Sequence, residues 1–464
     1  MSPTNNVVII HTDDTGRYIS PYGYGIDTPN LQHLAQDGVL FRNAHCAGPT
    51  CSPSRGALYT GSSPHSNGLI GLAHRGFEMH EYNHHLSNFL SERGFHTVLA
   101  GQQHEIPRNT EADLEKSVLG YDRVLRGDDT DPSNGRLDHG HTRRDFAITE
   151  EATKFLRETD RDDDSDPFFL SLGLYNTHKP LPIDQNLVAP DTVAPPDPLP
   201  DVPSIREEMA AYHAAVQNVD KCVGEVYKTL ESTGLIDETL FLFTTDHGIP
   251  FPLMKCTLSD SGTGVSLIAK FPDQIDSQGS SVVDELVSQI DLFPTFCDYL
   301  GFDIPQWVEG ISLLPMLHGD EESVRDEVFS EVTYHAAYEP KRSVRTKRYR
   351  YVQRFDEQYD QYVAPNTDAG QSKEFFKKLG YFEQAPPKKA LYDLYLDPNQ
   401  RNNILEEPQY ESVGRDLRDR LLNWMEQTND PLIGGPVSKP DGAVADKQGA
   451  LHPDMGEFEA PDAR

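Results

Sequence analysis

Apolar runs of two kinds alternate along this chain, and the period of each predicts an element. Val7-Val8-Ile9-Ile10 is short, continuous and β-branched, the pattern of a strand buried on both faces. Thr97 to Ala100, Phe168 to Leu172 and Thr239 to Thr244 repeat it. Between them lie helical patterns. Thr28-Pro29 opens one, with Leu31, Leu34 and Ala35 on a face and Gly38 as its stop. Leu86, Phe89 and Leu90 form a second that ends at Gly94. The longest runs from Ile205 to Thr233 and sets Met209, Tyr212, Val216, Val219, Val223 and Val226 on one side. From Val328 a new unit begins, in which Ser343 to Val352 alternates like an antiparallel strand. After Pro431 the chain is rich in Gly, Pro and Asp and is expected to be a flexible tail, residues 431–464. Leu181 to Pro203 has no period and reads as a rim or lid loop. Two acidic stretches, 127–134 and 159–166, read as solvated loops.

Chemistry collects where the strands end. The first strand runs into Asp13-Asp14 and the fourth into Asp246-His247. In an open α/β sheet, sites form at the carboxyl ends of strands. Adjacent carboxylates there are costly unless a cation neutralises them, although Asp also caps helices and turns. The second strand ends at Gln102 and His104, the third at His178. Cys51-Ser52-Pro53-Ser54-Arg55 opens a further helix, with Pro53 in a first turn where its missing N–H is not needed. Cys51 would then stand at a helix N-terminus, which favours negative charge. One turn brings Arg55 back beside it. A nucleophile, an anion-friendly helix end and a fixed cation suit sulfate or phosphate; a buried cysteine and a surface arginine are the plainer alternative.

Composition narrows the classes. With 464 residues, 37% of them hydrophobic, the chain can bury a large core and exceeds one ordinary domain. No stretch is apolar enough to span a bilayer, and Met1 to Asn6 resembles no secretory signal, so a cytoplasmic protein is expected. Five cysteines without C-x-x-C spacing argue against a disulfide scaffold or a zinc ribbon. Against 74 acidic residues stand 41 Lys and Arg, a net charge of -33. That excess repels nucleic acid and predicts a protein suited to high salt, or simply one with an acidic surface.

The Cys51-Ser52-Pro53-Ser54-Arg55 run with Thr60-Gly61 resembles the signature of the type I sulfatases, whose cysteine is oxidised to formylglycine by a formylglycine-generating enzyme. The resemblance implies an alkaline-phosphatase-like α/β fold. Its mixed, mostly parallel central sheet is flanked by helices (residues 1–327), with a smaller C-terminal α+β subdomain (328–430). It implies one divalent cation, Ca²⁺ before Mg²⁺ or Mn²⁺, held by Asp13, Asp14, Asp246, His247 and modified Cys51. It implies Arg55, Lys255 and His178 as sulfate contacts, His178 or Lys255 as proton donor to the leaving group, and His104 as base. The run Gly248-Ile249-Pro250-Phe251-Pro252 is similar to the heparan N-sulfatase (sulfamidase) branch. Gln102 departs from the family pattern, which has lysine there, and predicts a weaker grip on sulfate. The implied activity is hydrolysis of a sulfate ester or sulfamate, including those of sugars. The alternatives are a phosphonate monoester or phosphodiester hydrolase of the same superfamily and a silent metal-binding homologue.

Overall fold

The computed structural model describes residues 5–107, 113–127, 140–159, 166–181, 188–272 and 281–453. Most of both acidic stretches, and part of the 181–203 loop, lie outside the described residues. Eight strands form the main sheet: β1 (Asn6–Thr12), β2 (Val39–Phe41), β3 (His96–Gly101), β4 (Arg123–Leu125), β5 (Phe168–Leu174), β6 (Thr239–Thr245), β7 (Leu267–Lys270) and β8 (Ser281–Val283). Their order is β4-β3-β5-β1-β6-β7-β2-β8. The pairings from β4 to β6 and between β2 and β8 are parallel, and β7 is antiparallel to both its neighbours. The sheet is therefore mixed and mostly parallel, as the resemblance implied.

Both faces of this sheet are dry. Val8 and Ile10 of β1 join one core with the long helix, whereas Val7 and Ile9 join the opposite core with Leu58 and Tyr59. This is why β1 reads as a continuous apolar run rather than an alternating one. The helices that matter here are α1 (Pro29–Asp37), α2 (Cys51–Thr60), α3 (Gly140–Glu158), α4 (Pro203–Thr233) and α5 (Glu411–Gln427). All six apolar positions predicted along α4 are buried. No helix among the described residues is long and apolar enough to cross a membrane.

A second, antiparallel sheet follows: β9 (Glu327–Tyr334), β10 (Tyr338–Thr346), β11 (Tyr349–Arg354) and β12 (Lys389–Asp393), in that order. The alternation read over 343–352 spans a hairpin rather than one strand. The chain reverses at Lys347-Arg348, where Thr346 Oγ1 accepts from the Tyr349 amide at 3.0 Å. One face of this sheet packs Val344, Tyr351 and Leu391 on Leu417, Leu421 and Met425 of α5. The other meets the main body, where Arg345 and Arg350 grip Asp260 at 2.9 and 2.7 Å. Arg342 bonds Asp430 through Nε at 2.6 Å and lies 3.3 Å from Glu331, which also binds His65. The expected flexible tail is corrected for residues 431–453. Ala443 and Ala445 are buried with Phe77 and Tyr334, and Asp446 pairs with Arg75. Small side chains allow close packing against rings, a signal that a Gly, Pro and Asp count does not carry.

Candidate active site

The strand order brings the chemistry together. β3, β5, β1 and β6 are consecutive neighbours, so His104, His178, Asp13-Asp14 and Asp246-His247 leave the same sheet edge. Gly173 makes the packing possible, because a Cβ there would stand 1.9 Å from the Gln102 carbonyl oxygen. Helix α2 starts at the same edge with Cys51 as its first residue, and all ten of its residues are buried. Ser54 fixes it by donating to the Asp246 carbonyl at 2.5 Å.

Asp14 adopts φ 53°, a left-handed conformation that non-glycine residues rarely hold. Such strain persists where surrounding contacts impose it and is common at functional sites. Here its amide donates to Asp246 Oδ1 at 2.8 Å, and its carboxylate meets Lys255 Nζ at 3.1 Å. Lys255 is itself held in a turn whose Leu253 and Cys256 both have positive φ.

Cys51, Asp14, Asp246 and His247 each offer a ligand atom, and these atoms all lie within 4.8 Å of one another. Asp13, Cys51 and His104 form an adjoining group of the same kind. His247 Nε2 is 3.3 Å from Asp14 Oδ1 and 3.4 Å from Asp246 Oδ2. Those three atoms and Asp13 Oδ2 have no hydrogen-bond partner among the described residues, although all are buried. Buried polar atoms are ordinarily satisfied, so four orphans aimed at one place fit a cation.

The electrostatics agree. Burial opposes ionisation of Asp13, but Arg55, with His104 and His178, holds its carboxyl well below the usual range. Burial pushes Asp14 well above it, and nearby Asp246, Asp368 and Asp13 add to that, with Lys255 opposing. Burial and Asp13 push Asp246 to about 8, against Arg55. Burial and Lys255 lower His247 to about 3, leaving a neutral imidazole suited to ligation. Three carboxylates with one arginine and one lysine have too little positive charge between them, and a hard divalent ion would supply it. Burial also pushes the Cys51 thiol well up; Lys255 opposes and the three carboxylates reinforce it. As a thiol, Cys51 is kept protonated and weakly nucleophilic.

Each residue singled out from the sequence lies in or beside this cluster. Arg55 differs from expectation in its partners: it meets Asp13 at 2.8 Å and Asp246 at 4.0 Å, fully buried between them. His104 Nδ1 lies 3.8 Å from Asp13, and His178 Nε2 lies 4.0 Å from Asp14. His178 keeps its Nδ1 on the Lys179 carbonyl at 2.5 Å, and its ring stacks on Tyr175. Gln102 Oε1 accepts from Arg144 of α3 at 2.9 Å. No motif in the sequence marks Arg144, and sequence reasoning missed it. It also missed Asp368, whose carboxylate meets Lys255 Nζ at 3.1 Å from the far side. No strand end or helix start marks Asp368, which arrives on a loop between two short helical turns of the C-terminal part. His335, buried, is neutralised by its burial and by Lys255.

This constellation stands at the strand ends of a mixed, mostly parallel α/β sheet, an alkaline-phosphatase-like fold. The sulfatase family profile matches residues 5–302, and the profile for the C-terminal part of N-sulphoglucosamine sulphohydrolase matches 254–365. The chain is 29% identical to human N-sulphoglucosamine sulphohydrolase over 95% of this chain and 93% of that one. It is 28% identical to an ulvan-active sulfatase of Formosa agariphila, over 100% and 89% respectively. In fold it resembles the phosphonate monoester hydrolase of Agrobacterium radiobacter, with a TM-score of 0.67, 20% identity, and 96% and 100% of the two chains covered. The chain belongs to the sulfatase family, is similar to sulfamidase, and is a hydrolase of sulfate esters or sulfamates.

Proposed function

We propose that the protein removes sulfate from a sulfated sugar, using formylglycine made from Cys51 and one divalent cation, Ca²⁺. The observation that carries this reading is the convergence of Cys51 with Asp14, Asp246 and His247. Asp13, Asp14, Asp246 and His247 would hold the ion, whose Lewis acidity stabilises negative charge on the sulfate group. A hydrated aldehyde at position 51 would supply two hydroxyls on one carbon: one to displace the leaving group at sulfur, the other to lose its proton as the C–O bond to sulfate breaks and the aldehyde re-forms.

The remaining work falls to the side chains. Arg55 keeps Asp13 ionised and fixes the ligand frame. Lys255, tethered to Asp14 and Asp368, presents a cation to sulfate oxygens near the helix start. Burial first, then Lys255, lowers His178 to about 4, while Asp368 opposes. A bound sulfate adds negative charge beside the ring and raises that value, so His178 can donate a proton to the leaving group from Nε2. His104, beside Asp13, takes the proton of the second hydroxyl. The sugar assignment draws support from the names of the two curated relatives.

The test is sulfate release from sulfated sugars, an aryl sulfate and a phosphodiester, with peptide mass analysis of Cys51. Sulfate release by protein carrying the aldehyde is the expected result. Hydrolysis of the phosphodiester alone would select the phosphodiesterase reading. Binding without turnover, despite the aldehyde, would select a silent homologue.

A further inference from the structure

The turn that carries Lys255 and the face of the C-terminal sheet turned toward the main body enclose a cavity of about 890 Å³. The volume is that of a small-molecule site. Strand register explains its lining. Lys341 of β10 pairs with Arg354 of β11, so both side chains leave the same face of the sheet. Val352, Ala390 and Tyr392 share that face, while Val344, Tyr351 and Leu391 turn to α5. Lys255 also lines this cavity, which sets the cavity beside the Cys51 centre.

Arg354 is the unusual member. The residue is only 9% exposed. Its Nε and Nη2 are buried without a hydrogen-bond partner, and it forms no ion pair with a described residue. Lys341 beside it is matched by Glu339 at 2.8 Å. Gln400, also in the lining, has a buried amide oxygen without a partner. A buried guanidinium without a counter-charge is costly to keep. Its planar fork is shaped for a carboxylate or sulfate. In a chain of net charge -33, a cation placed in this way does not serve general attraction of anions.

We propose that this cavity is a second anion subsite, in which Arg354, with Lys341, holds a further sulfate or carboxylate of the sugar attacked at Cys51. The substrate is then a polyanionic sugar bearing at least two acidic groups. Gln400 accepts from one of its hydroxyls, and Phe376 and Tyr381 at the cavity wall offer rings to a pyranose face. This inference rests on the sulfatase reading of the Cys51 centre.

The experiment separates the two. A Cys51→Ala protein cannot turn substrate over, so titration calorimetry reads affinity directly. The probes are glucosamine N-sulfate linked to a neutral hexose or to a hexuronate, each with and without a 6-O-sulfate. The additional acidic group is expected to tighten binding by about tenfold or more, the worth of one charged hydrogen-bonded contact. In Arg354→Gln that gain should vanish, and Arg354→Lys should retain part of it. Equal affinity for all probes, or an undiminished gain in Arg354→Gln, overturns the subsite. Aryl sulfate turnover by the aldehyde-bearing protein reports the Cys51 centre separately. Its absence would reject the sulfatase reading and leave the affinity comparison standing.

Discussion

Replacing Gln102 by lysine puts the family's residue back and is expected to fail. From the sequence alone, a lysine here restores a missing cation and should raise kcat/KM. The structure reverses the sign. Gln102 Oε1 accepts from Arg144 Nη2 at 2.9 Å, so an ammonium at that position would face a guanidinium. Two unit charges about 4 Å apart repel by about 4 kcal/mol at an effective dielectric of about 20. Arg144 is partly exposed, and solvent screening reduces this to about 1–3 kcal/mol. If the strain shifts Gln102 and with it the strand end that carries His104, kcat/KM falls by about tenfold or more. The assay is aryl sulfate hydrolysis by wild type, Gln102→Lys, Arg144→Gln and the double variant, with thermal melts to confirm folding. The double variant removes the repulsion and keeps one cation, so it should recover most of the loss. A Gln102→Lys protein that gains activity refutes the reasoning. So does a cycle in which the two effects add within about 0.5 kcal/mol.

Four further outcomes follow from the same coordinates. Cys51→Ala should fold and lose sulfate release, and any substantial turnover by it would remove the aldehyde from the mechanism. Asp246→Asn should bind less than one divalent ion per chain by elemental analysis and lose activity; unchanged stoichiometry would exclude it as a ligand. Arg342→Met strips the guanidinium from between the buried carboxylates of Asp430 and Glu331 and should cost about 3–5 kcal/mol, read as a lower melting temperature. Burial alone would lower the pKa of His65, but Glu331 outweighs it and raises the value, so its stabilising contribution is complete below the unfolded pKa near 6.5 and is lost as pH rises through the higher folded value. The stability of His65→Gln should therefore depend less on pH above 6.5 than that of wild type, and identical pH profiles would contradict the assignment.

The sequence made the carboxylate and histidine cluster legible because strand ends concentrate it. Asp13, Asp14, Asp246 and His247 each follow a run of buried β-branched or aromatic residues, and parallel strands place such ends together whatever their separation in sequence. Cys51 and Arg55 were legible because one helical turn links them. Asp368 and Arg144 were not, for opposite reasons. Asp368 is brought in by a loop whose path depends on how the C-terminal sheet docks, which no local pattern encodes. Arg144 sits in the first turn of α3, where an arginine reads as surface, and only the neighbouring strand end gives it Gln102 as a partner. The packed stretch 431–453 escaped notice because its contacts are between alanines and rings, not between long apolar side chains.

Lys255 shows how the two sheets depend on each other. Its ammonium lies between Asp14, on the main sheet, and Asp368, from the C-terminal part, at 3.1 Å from each. Burial alone would strip its proton, and the two carboxylates together hold its pKa well above the usual lysine value. A cation held by a single ligand carboxylate would be drawn toward Asp14 and compete with the divalent ion for it. A second carboxylate, Asp368 at 3.1 Å, shares that pull. The C-terminal part thus reaches Lys255 through Asp368, and its sheet lines the adjoining cavity with Arg354. The two have opposite consequences for selectivity. Asp368 acts on Lys255 whatever the substrate, whereas in the proposed subsite Arg354 is reached only by a substrate large enough to fill the cavity.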